Sequence, residues 1–201
     1  MTSSGSSVTV RNCVASAFFG GEIDIDALCE QKGAALSVDM NIEAAKFKLS
    51  DPSASVLVYR NGRVIVTGVD SEESIQEAMD LALKVVSDVT PKAACTRLCV
   101  ENIVGTAELG FEVNLRSAAG WMRGFTTVHF ESARLEKGLR FVPEDLLDSL
   151  KPIKVLSPIK ALVFEGGRVI ISGAKNQAEL ETTWEIVRGV VKPFDVENET
   201  D

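Results

Sequence analysis

The chain contains nearly the same hairpin sequence twice. SVLVYRNGRVIVTG occupies residues 55–68 and KALVFEGGRVIISG occupies residues 160–173, so the copies lie 105 residues apart. Seven of the fourteen aligned positions are identical, including Gly62/Gly167 and Gly68/Gly173. An earlier stretch, VRNCVASA at 10–17, matches VENIVGTA at 100–107 with a separation of 90. Two matched pieces in the same order indicate a duplicated domain whose second copy holds about 15 extra residues between them.

Each half predicts the same order of secondary-structure elements. A strand around Thr9–Ala17 precedes a short helical segment, which is DIDALCEQKGA in the first half and LRSAAGWMRG in the second. A strand at Ala44–Leu49 then leads into the repeated hairpin. Its turn pairs, Asn61-Gly62 and Gly166-Gly167, are typical of residues that reach the positive φ of a tight β-turn.

A longer amphipathic helix closes each half. In residues 70–89 apolar side chains recur every three or four positions, at Ile75, Ala78, Ala82, Val85 and Val89. We expect Asp70 to cap this helix, with Glu73 as its reciprocal partner. The matching helix, near 175–191, carries its stripe at Leu180, Trp184, Val187 and Val191. We expect Trp184 to be a core residue, because a bulky aromatic on such a stripe normally packs inward.

Strands turn alternate side chains to opposite faces. The expected core face is apolar, at Cys13, Ala15, Val56, Val58, Val64 and Val66. The opposite face mixes apolar residues with Asn, Arg and Thr. In the first half it comprises Asn12, Val14, Ser16, Leu57, Tyr59, Arg63, Ile65 and Thr67. The second half repeats it at Asn102, Val104, Thr106, Leu162, Phe164, Arg168, Ile170 and Ser172. A doubled face of this kind is a candidate binding surface.

Charge, cysteines and motifs limit the alternatives. The formal net charge of −8 counts against general nucleic-acid affinity, because phosphate contacts need Lys and Arg. Cys95 and Cys99 have only His129 to complete a ligand set, so we expect no metal and four reduced, buried cysteines. His129 accompanies no nucleophile motif, and no glycine-rich phosphate loop follows a strand. We therefore expect that the protein is not an enzyme and binds no cofactor. The sequence shows no membrane span and no secretory signal, so we expect a cytosolic or nuclear protein without a membrane partner.

These residues resemble the TATA-box-binding protein family. The resemblance rests on RNCV and ENIV at the start of the two halves, on both hairpins and on the helix after each terminal glycine, and it covers roughly residues 8–194. It implies an α+β fold, a pseudo-two-fold saddle with one curved antiparallel sheet of about ten strands and four main helices on the convex face. It also implies that the concave face binds the DNA minor groove, where Phe pairs wedge between base steps; this family is the standard example of that mechanism.

The resemblance gives the residues of the doubled face specific roles. Asn12 and Asn102 are similar to the pair that hydrogen-bonds the central base pairs, since the minor groove offers acceptors to an amide donor. Val14 and Val104 are similar to the apolar contacts beside that pair. The remaining implied DNA contacts are the floor residues Leu57, Ile65, Thr67, Leu162, Ile170 and Ser172, and the basic residues Lys48, Arg63 and Arg168.

The wedge positions depart from the family. Four Phe are expected there, and this chain has Ile42, Tyr59, a third position for which Leu135 and Phe141 are the candidates, and Phe164. A smaller or more polar wedge offers less stacking surface to offset the cost of unstacking base pairs. We therefore expect weaker bending of DNA. The departures are similar to those of the related factors of trypanosomatid protists.

Two further departures concern partner proteins. In relatives the helix after the first repeat is basic, whereas residues 70–88 here hold six acids and one lysine. We expect Glu72, Glu73, Glu77 and Asp80 to meet a basic partner surface, with a simply solvated helix face as the alternative. The other departure is an inserted segment near 143–157, PEDLLDSLKPIKVLS. The resemblance places this segment at the second stirrup loop, close to the docking site of transcription factor IIB.

The sequence thus predicts a divergent TATA-box-binding-protein-related factor. Its expected function is nuclear: binding promoter DNA and nucleating the preinitiation complex, with transcription factors IIA and IIB or their divergent equivalents and promoter-recruiting complexes as partners. The alternative is a protein-interaction scaffold that partner factors bring to promoters, with little direct DNA binding. The expected segments are a disordered N-terminus (1–7), a first repeat (8–94), a second repeat with the insertion (95–194) and a disordered acidic tail (195–201).

Overall fold

The computed structural model describes residues 7–39, 42–132, 137–146 and 159–197. The first half of these ranges contains β1 (Thr9–Phe18), α1 (Ile25–Lys32), β2 (Ala35–Asp39), β3 (Ile42–Ser50), β4 (Ser53–Tyr59), β5 (Arg63–Val69) and α2 (Glu72–Ser87). The second half contains β6 (Thr96–Glu108), α3 (Leu115–Met122), β7 (His129–Ser132), β8 (Lys137–Phe141), β9 (Lys160–Phe164), β10 (Arg168–Ala174) and α4 (Gln177–Val191). The periodicity of the sequence predicts neither β2 nor β7, the outermost strands of the sheet.

The strands form one antiparallel sheet in the order β2-β3-β4-β5-β1-β6-β10-β9-β8-β7. The expected α+β architecture, with ten strands and four main helices in the described ranges, is confirmed. By its internal contacts the chain divides into two compact units. One unit runs from Arg11 to Asn102, and the other joins the residues up to Val10 with those from Ile103 onward.

Each unit has helices packed on one side of its strands. In the Arg11–Asn102 unit α1 packs on β3 and α2 packs on β5, while in the other unit α3 packs on β8 and α4 on β10. The predicted core face is confirmed, because its six residues are all buried: Cys13, Ala15, Val56, Val58, Val64 and Val66. Trp184 is 3% exposed and is the core residue that its position predicts. Val85 and Val89 were expected on the buried stripe of the first long helix but are only partly buried, because Met79 and Val86 take the inward positions.

The cap of the first long helix lies one residue from the predicted place. Ser71, not Asp70, caps α2, and its hydroxyl accepts a hydrogen bond from the Ser74 amide at 3.1 Å. The expectation of an Asp70–Glu73 capping pair is therefore wrong. In α4 the cap is Asn176, whose side-chain oxygen accepts from the Glu179 amide at 2.8 Å. Short polar side chains at these positions satisfy amides that have no partner within the helix.

The hairpin turns differ from the predicted geometry. Only the second residue of each turn pair has positive φ, +88° at Gly62 and +89° at Gly167. The Gly62 amide donates to the Tyr59 carbonyl at 2.9 Å, and the Gly167 amide donates to the Phe164 carbonyl at 3.0 Å. Each hairpin therefore has a three-residue loop that ends in a left-handed glycine, not a two-residue turn with two positive φ values.

The extra residues of the second half are split between two loops. Helices α1 and α3 begin 90 residues apart, and the two hairpins are 105 residues apart. Between them, Ala44 pairs with Tyr59 and Gly138 pairs with Phe164, so these two residues are equivalent and are 94 apart. Four extra residues thus lie between α3 and β7, and eleven lie between β8 and β9. The larger part of the insertion, eleven residues, lies between β8 and β9 and not in the β7–β8 connection. The insertion instead begins with a 3-10 turn, Pro143–Leu146, that packs on α4. Residues 147–157 lie outside the described residues.

The acidic tail is in part structured. Asp195 forms an isolated bridge with Val113, and the Val196 amide donates to the Glu112 carbonyl at 3.0 Å. The expectation of a disordered tail from residue 195 is therefore wrong for its first residues. Residues 198–201 and 1–6 lie outside the described residues.

Candidate nucleic-acid interface

The sheet side opposite the helices carries the mixed apolar and polar residues that the sequence predicts; we call it the mixed face. In the Arg11–Asn102 unit, Leu57 pairs with Ile65, and Val14 pairs with Thr67. In the other unit, Leu162 pairs with Ile170, and Val104 pairs with Ser172. Residues that pair directly across two strands lie on the same face. All eight of these side chains are partly buried, in contrast to the fully buried valines of the core side.

A β-bulge fixes the orientation of Asn12. The register of β1 with β5 shifts after Cys13, which faces Val69, because Val14 faces Thr67 and leaves Gly68 without a partner. Gly68 has a φ of +97°, and its amide donates to Oδ1 of Asn12 at 2.9 Å. Because a backbone N–H can only donate, the Oδ1 atom must face it, and the NH2 group of Asn12 points the other way. The bulge therefore holds an amide donor in place on the mixed face.

The same bulge occurs in the second half. On β10 the register passes from Ser172, which pairs with Val104, to Ala174, which pairs with Ile103, and skips Gly173. Gly173 has a φ of +107°. The repeated glycine at the end of each hairpin sequence is thus the residue that allows a bulge beside Asn12 and beside Asn102. The sequence signal for this device was the pair of aligned glycines.

Asn12 and Asn102 lie on neighbouring strands. Strands β1 and β6 are hydrogen-bonded neighbours, and the Thr96 hydroxyl donates to the Phe18 carbonyl at 3.0 Å. Both asparagine side chains are partly buried, and neither is beneath the helices. The two asparagines therefore lie on adjacent central strands of the sheet.

The structure places the wedge candidates unequally. Tyr59 is partly buried, while Phe164 is only 4% exposed, and the Arg168 guanidinium lies over its ring, 4.4 Å from the centroid. Phe141 is 1% exposed and pairs with Ala161 on the core side, so its candidacy as the third wedge is wrong. Ile42 begins β3 and pairs with Asp39. Leu135 lies outside the described residues.

Basic residues line the mixed face in both halves. Lys48 pairs with Ser55, and Arg63 pairs with Phe18. Sequence reasoning missed three further cations whose cross-strand partners are mixed-face residues, namely Lys46 beside Leu57, Arg140 beside Leu162 and Lys160 beside Ser172. Lys46 could have been found from its alternation with Lys48 on one strand. The chain's net charge of −8 is therefore spread unevenly, and this face holds six cations.

Carboxylates also border the mixed face. The Ser16 hydroxyl donates to Oε1 of Glu101 at 2.6 Å. Glu108 pairs with Arg168 across β6 and β10. These acids would oppose a phosphate placed close to them, which makes the positions of the six cations the more important.

The four cysteines differ in burial, and burial affects the ionisation of two of their thiols. Burial raises the pKa of the Cys13 thiol to about 11, with Glu72 and then Asp70 adding to the shift. Burial and Asp80 also raise the pKa of Cys95. Both groups are therefore neutral thiols near neutral pH, whereas metal binding and nucleophilic attack use the thiolate. The expectation of four buried cysteines is confirmed for Cys13 alone, because Cys29 and Cys95 are only partly buried and Cys99 is exposed. Within the described ranges, no group of three or more His, Cys, Asp or Glu is placed to hold a metal.

The acidic residues predicted to meet a partner all lie at the surface of α2. Glu72, Glu73, Glu77 and Asp80 are exposed. The opposite side of the helix is buried, so these carboxylates lie on the side that is available to another molecule. In the described part of the chain, no helix has the length and apolar character needed to cross a membrane.

Known proteins match the chain along nearly its whole length. The family model described as transcription factor TFIID, or TATA-binding protein, matches residues 7–89 and 97–194. The chain belongs to the TATA-binding protein family. This TATA-binding protein family member is therefore a transcription factor by class.

Relatives of this family member come from archaea and from fungi. It is 29% identical over 192 residues to TATA-box-binding protein 2 of Haloferax volcanii, covering 92% of this chain and 93% of the relative. It is 25% identical over 191 residues to the TATA-box-binding protein of Saccharomyces cerevisiae, covering 95% of this chain and 74% of the relative. The solved structure of Methanococcus jannaschii TBP matches with a TM-score of 0.69 at 22% identity, covering 93% of this chain and 99% of that one, and supports the fold. The narrower resemblance to trypanosomatid factors stays a prediction.

Proposed function

We propose that this chain is a general transcription initiation factor that binds promoter DNA in the minor groove through the mixed face and nucleates a preinitiation complex. The observation that carries the proposal is the orientation of Asn12, whose oxygen accepts from the Gly68 amide and whose NH2 group is left to donate. The minor groove of an A·T pair presents acceptors only, at adenine N3 and thymine O2. A fixed amide donor on an apolar strand surface fits that pattern.

The distribution of charge supports the proposal. Contacts with phosphate supply most of the affinity of proteins for DNA and require Lys or Arg. Lys46, Lys48 and Arg63 of the first half, and Arg140, Lys160 and Arg168 of the second, border the mixed face in their respective units. A group of the acids that make the chain negative lies on α2, on the helix side, although Glu101 and Glu108 border the mixed face. The net charge of −8 is therefore compatible with DNA binding at this one face.

The experiment compares two substitutions of the amide pair. Asn12→Asp with Asn102→Asp keeps an oxygen for the Gly68 amide and removes the donor, whereas Asn12→Ala with Asn102→Ala removes both. We expect each double variant to bind a short A·T-rich duplex roughly 30 to 100 times more weakly, because two hydrogen bonds are lost. Fluorescence anisotropy at several salt concentrations measures the affinity. Gln76→Glu, on the exposed side of α2, is the control for added charge.

Clear outcomes decide the proposal. If the Asp variants retain both their stability and their DNA affinity, the amides do not read bases. If the wild-type chain gives no minor-groove footprint at low salt, even with partner factors present, the proposal of direct DNA binding is wrong.

Transcription initiation takes place in the nucleus of a cell that has one, and we propose that compartment for this chain. We assign the acids of α2 to docking of a basic surface on a partner such as transcription factor IIA, IIB or an equivalent.

One observation favours a second candidate, a scaffold recruited by partner proteins. Phe164, the one wedge Phe that the sequence retains, is 4% exposed beneath Arg168. A wedge in that position has to leave its cover before it can enter a base step. If the two Asn double variants assemble on promoters as well as wild type in the presence of partner factors, the scaffold function is correct.

A further inference from the structure

Within the described residues, the exposed Trp and Phe side chains all lie in the second half of the chain. Trp121, Phe125 and Phe130 are 48%, 49% and 52% exposed. The Trp121 ring lies 5.1 Å from the Phe125 ring and 6.0 Å from the Phe194 ring, measured between centroids. Single exposed apolar residues are ordinary, but a group of aromatic rings in contact at the surface marks a site of interaction.

A cavity adjoins this aromatic group. It has a volume of about 800 Å³, and Phe130 and Val196 contribute apolar surface to it. Arg116, Arg123 and Lys137 also line it, and none of the three has an ion-pair partner among the described residues. Arg123 follows directly after the helix that carries Trp121, and Val196 lies two residues beyond Phe194. We call the cavity and the adjoining rings the aromatic groove.

The first half has an equivalent cavity with different chemistry. It has a volume of about 890 Å³ and is lined by Asp26 and Arg60, which correspond to Arg116 and Glu165 of the aromatic groove. Arg60 is already engaged there, because its Nη2 atom lies 3.0 Å from an Asp26 oxygen and 3.5 Å from a Glu43 oxygen. None of the seven large exposed apolar residues of the described chain lines that cavity. The duplication thus produced two cavities. In the first-half cavity Lys92 is the one lining cation without an ion pair among the described residues, whereas the second cavity has three and adjoins exposed aromatic rings.

We propose that the aromatic groove binds an acidic peptide segment of a partner protein. One apolar or aromatic side chain of the segment packs against Trp121 and Phe125, while its carboxylates face Arg116, Arg123 and Lys137. Glu112 and Glu165 also line the cavity, so the carboxylates of the peptide must approach from the side of the three cations. The inference goes beyond the proposed function, because it concerns the helix-bearing side of the second half and needs no DNA.

The composition of the groove explains the choice of an acidic partner. Aromatic residues and Arg supply most of the binding energy at protein interfaces, whereas the surrounding contacts chiefly exclude water. Cations without partners lose little on meeting carboxylates and impose a sign on the ligand. In a chain of net charge −8, three such cations at one cavity select a short acidic segment over the acidic body of a second copy.

Trp121 provides the measurement. Trp184, the other tryptophan, is 3% exposed in the core, so a change of emission on adding a ligand reports on Trp121. The probes are short synthetic peptides rich in Asp and Glu that carry one Phe, Leu or Trp, each paired with a peptide in which Lys replaces the acids. Isothermal titration is used for the peptides with Trp. We expect the acidic set to bind in a salt-sensitive manner and the Lys set not to bind.

Three variants test the parts of the groove. Arg116→Glu with Arg123→Glu is expected to weaken the acidic peptides at least about tenfold and to confer binding of the Lys set. Phe125→Ser is expected to weaken them roughly thirtyfold, as for an aromatic at the centre of an interface. Lys92→Glu, in the equivalent cavity of the first half, is the matched control and is expected to change nothing. All four substituted residues are exposed, and an unchanged circular dichroism spectrum and thermal unfolding midpoint show that the variants are folded.

Several results would overturn the inference. The first is that no acidic peptide of the panel binds, or that binding survives both Arg116→Glu with Arg123→Glu and Phe125→Ser. The second is that Lys92→Glu weakens binding as much as the groove variants do. The third is a concentration-dependent self-association, seen by sedimentation and abolished by Phe125→Ser, which would assign the groove to a second copy of the chain.

Discussion

The long helices of the two halves bury the same five positions but fill them with side chains of different size. Helix α2 buries Ile75, Ala78, Met79, Ala82 and Val86. Helix α4 buries Leu180, Thr183, Trp184, Val187 and Val191, each 105 residues further along the chain. Duplication has thus kept the geometry of helix on sheet, while the packing on each copy has been rebuilt. The positions that the helix presents to the sheet are the same in both halves, whereas the side chains that fill those positions differ in size.

The largest predicted effect separates the two cores. Trp184→Ala is expected to lower the free energy of unfolding by about 3–5 kcal/mol, because it leaves a large cavity among buried neighbours. Met79→Ala, at the equivalent position of α2, is expected to cost about 2–3 kcal/mol. Urea unfolding followed by circular dichroism measures both. Equal losses would mean that the second core collapses around the missing ring and that the two halves are packed equally well.

A second test concerns what the halves share. Gly62 and Gly167 have φ near +88°, and a Cβ at Gly62 would lie 2.5 Å from the Gly21 carbonyl oxygen. At Gly167 the Cβ would come closer still to the carbonyl oxygen of Phe111, the equivalent residue. We expect Gly62→Ala and Gly167→Ala each to cost about 2–3 kcal/mol in thermal unfolding, from the left-handed backbone and from the contact.

Gly166→Ala is the control for these turn variants. Gly166 has no positive φ, and a Cβ there would meet nothing within 4 Å. Its replacement should leave stability unchanged or slightly raised. A loss at Gly166 similar to that at Gly167 would show that the loop, and not the left-handed position, resists substitution. A loss in one half alone would show that the two hairpins are not equivalent.

A third test compares the two arginines that follow the hairpin turns. Arg63 is exposed beside Phe18, whereas the guanidinium of Arg168 lies over the Phe164 ring. If the mixed face binds DNA, each phosphate contact contributes about 0.9 to the slope of log affinity against log salt. Arg63→Ala is expected to lower that slope by about one, and Arg168→Ala by less, because its guanidinium must leave the ring to reach a phosphate. Equal changes would show that the stacking does not compete with DNA.

The features that could be predicted from the sequence are those that follow from the repeat and from its apolar periodicity. The aligned hairpins and the apolar stripes were enough to predict the core face, both long helices and the position of Trp184, because alternation and helical period follow from backbone geometry. The bulges at Gly68 and Gly173 were not predicted, since a glycine at the end of a strand has several uses and only the register shows which applies. The cations Arg140 and Lys160 were missed for the same reason, since their face is known only once the strands are paired, whereas the alternation of Lys46 with Lys48 was already visible in the sequence.

The location of the insertion is a clearer example of what the sequence alone could not predict. A difference between two separations gives the total number of extra residues and says nothing of where they lie. Only the pairing of Gly138 with Phe164, equivalent to that of Ala44 with Tyr59, divides the extra residues between two loops. The hydroxyl of Thr126, in the first loop, donates to Asp145 of the second at 2.8 Å. The two extra loops therefore support one another, which no count of residues could indicate.

The smallest predicted effect is an ion pair that only the first half has. Lys32 Nζ donates to Oδ2 of Asp88 at 2.7 Å, and Met122 and Pro193 stand at the equivalent positions of the second half. The hydrogen bond and charge of Lys32 lower the pKa of Asp88. A carboxyl with a lowered folded pKa stabilises the protein above its unfolded pKa of about 3.9, and this contribution is lost as the pH falls through the lower folded value.

Asp88→Asn should therefore slightly reduce the free energy of unfolding near neutral pH. It should leave the free energy of unfolding unchanged at a pH well below the folded pKa of Asp88, where the carboxyl is protonated in both states. Urea unfolding across the acid range tests this, with Glu185→Gln, from a 3.9 Å pair on α4, as the control. An Asp88→Asn effect that persists at the acid end would mean that Asp88 contributes through packing, and that the first half gains nothing from its extra ion pair.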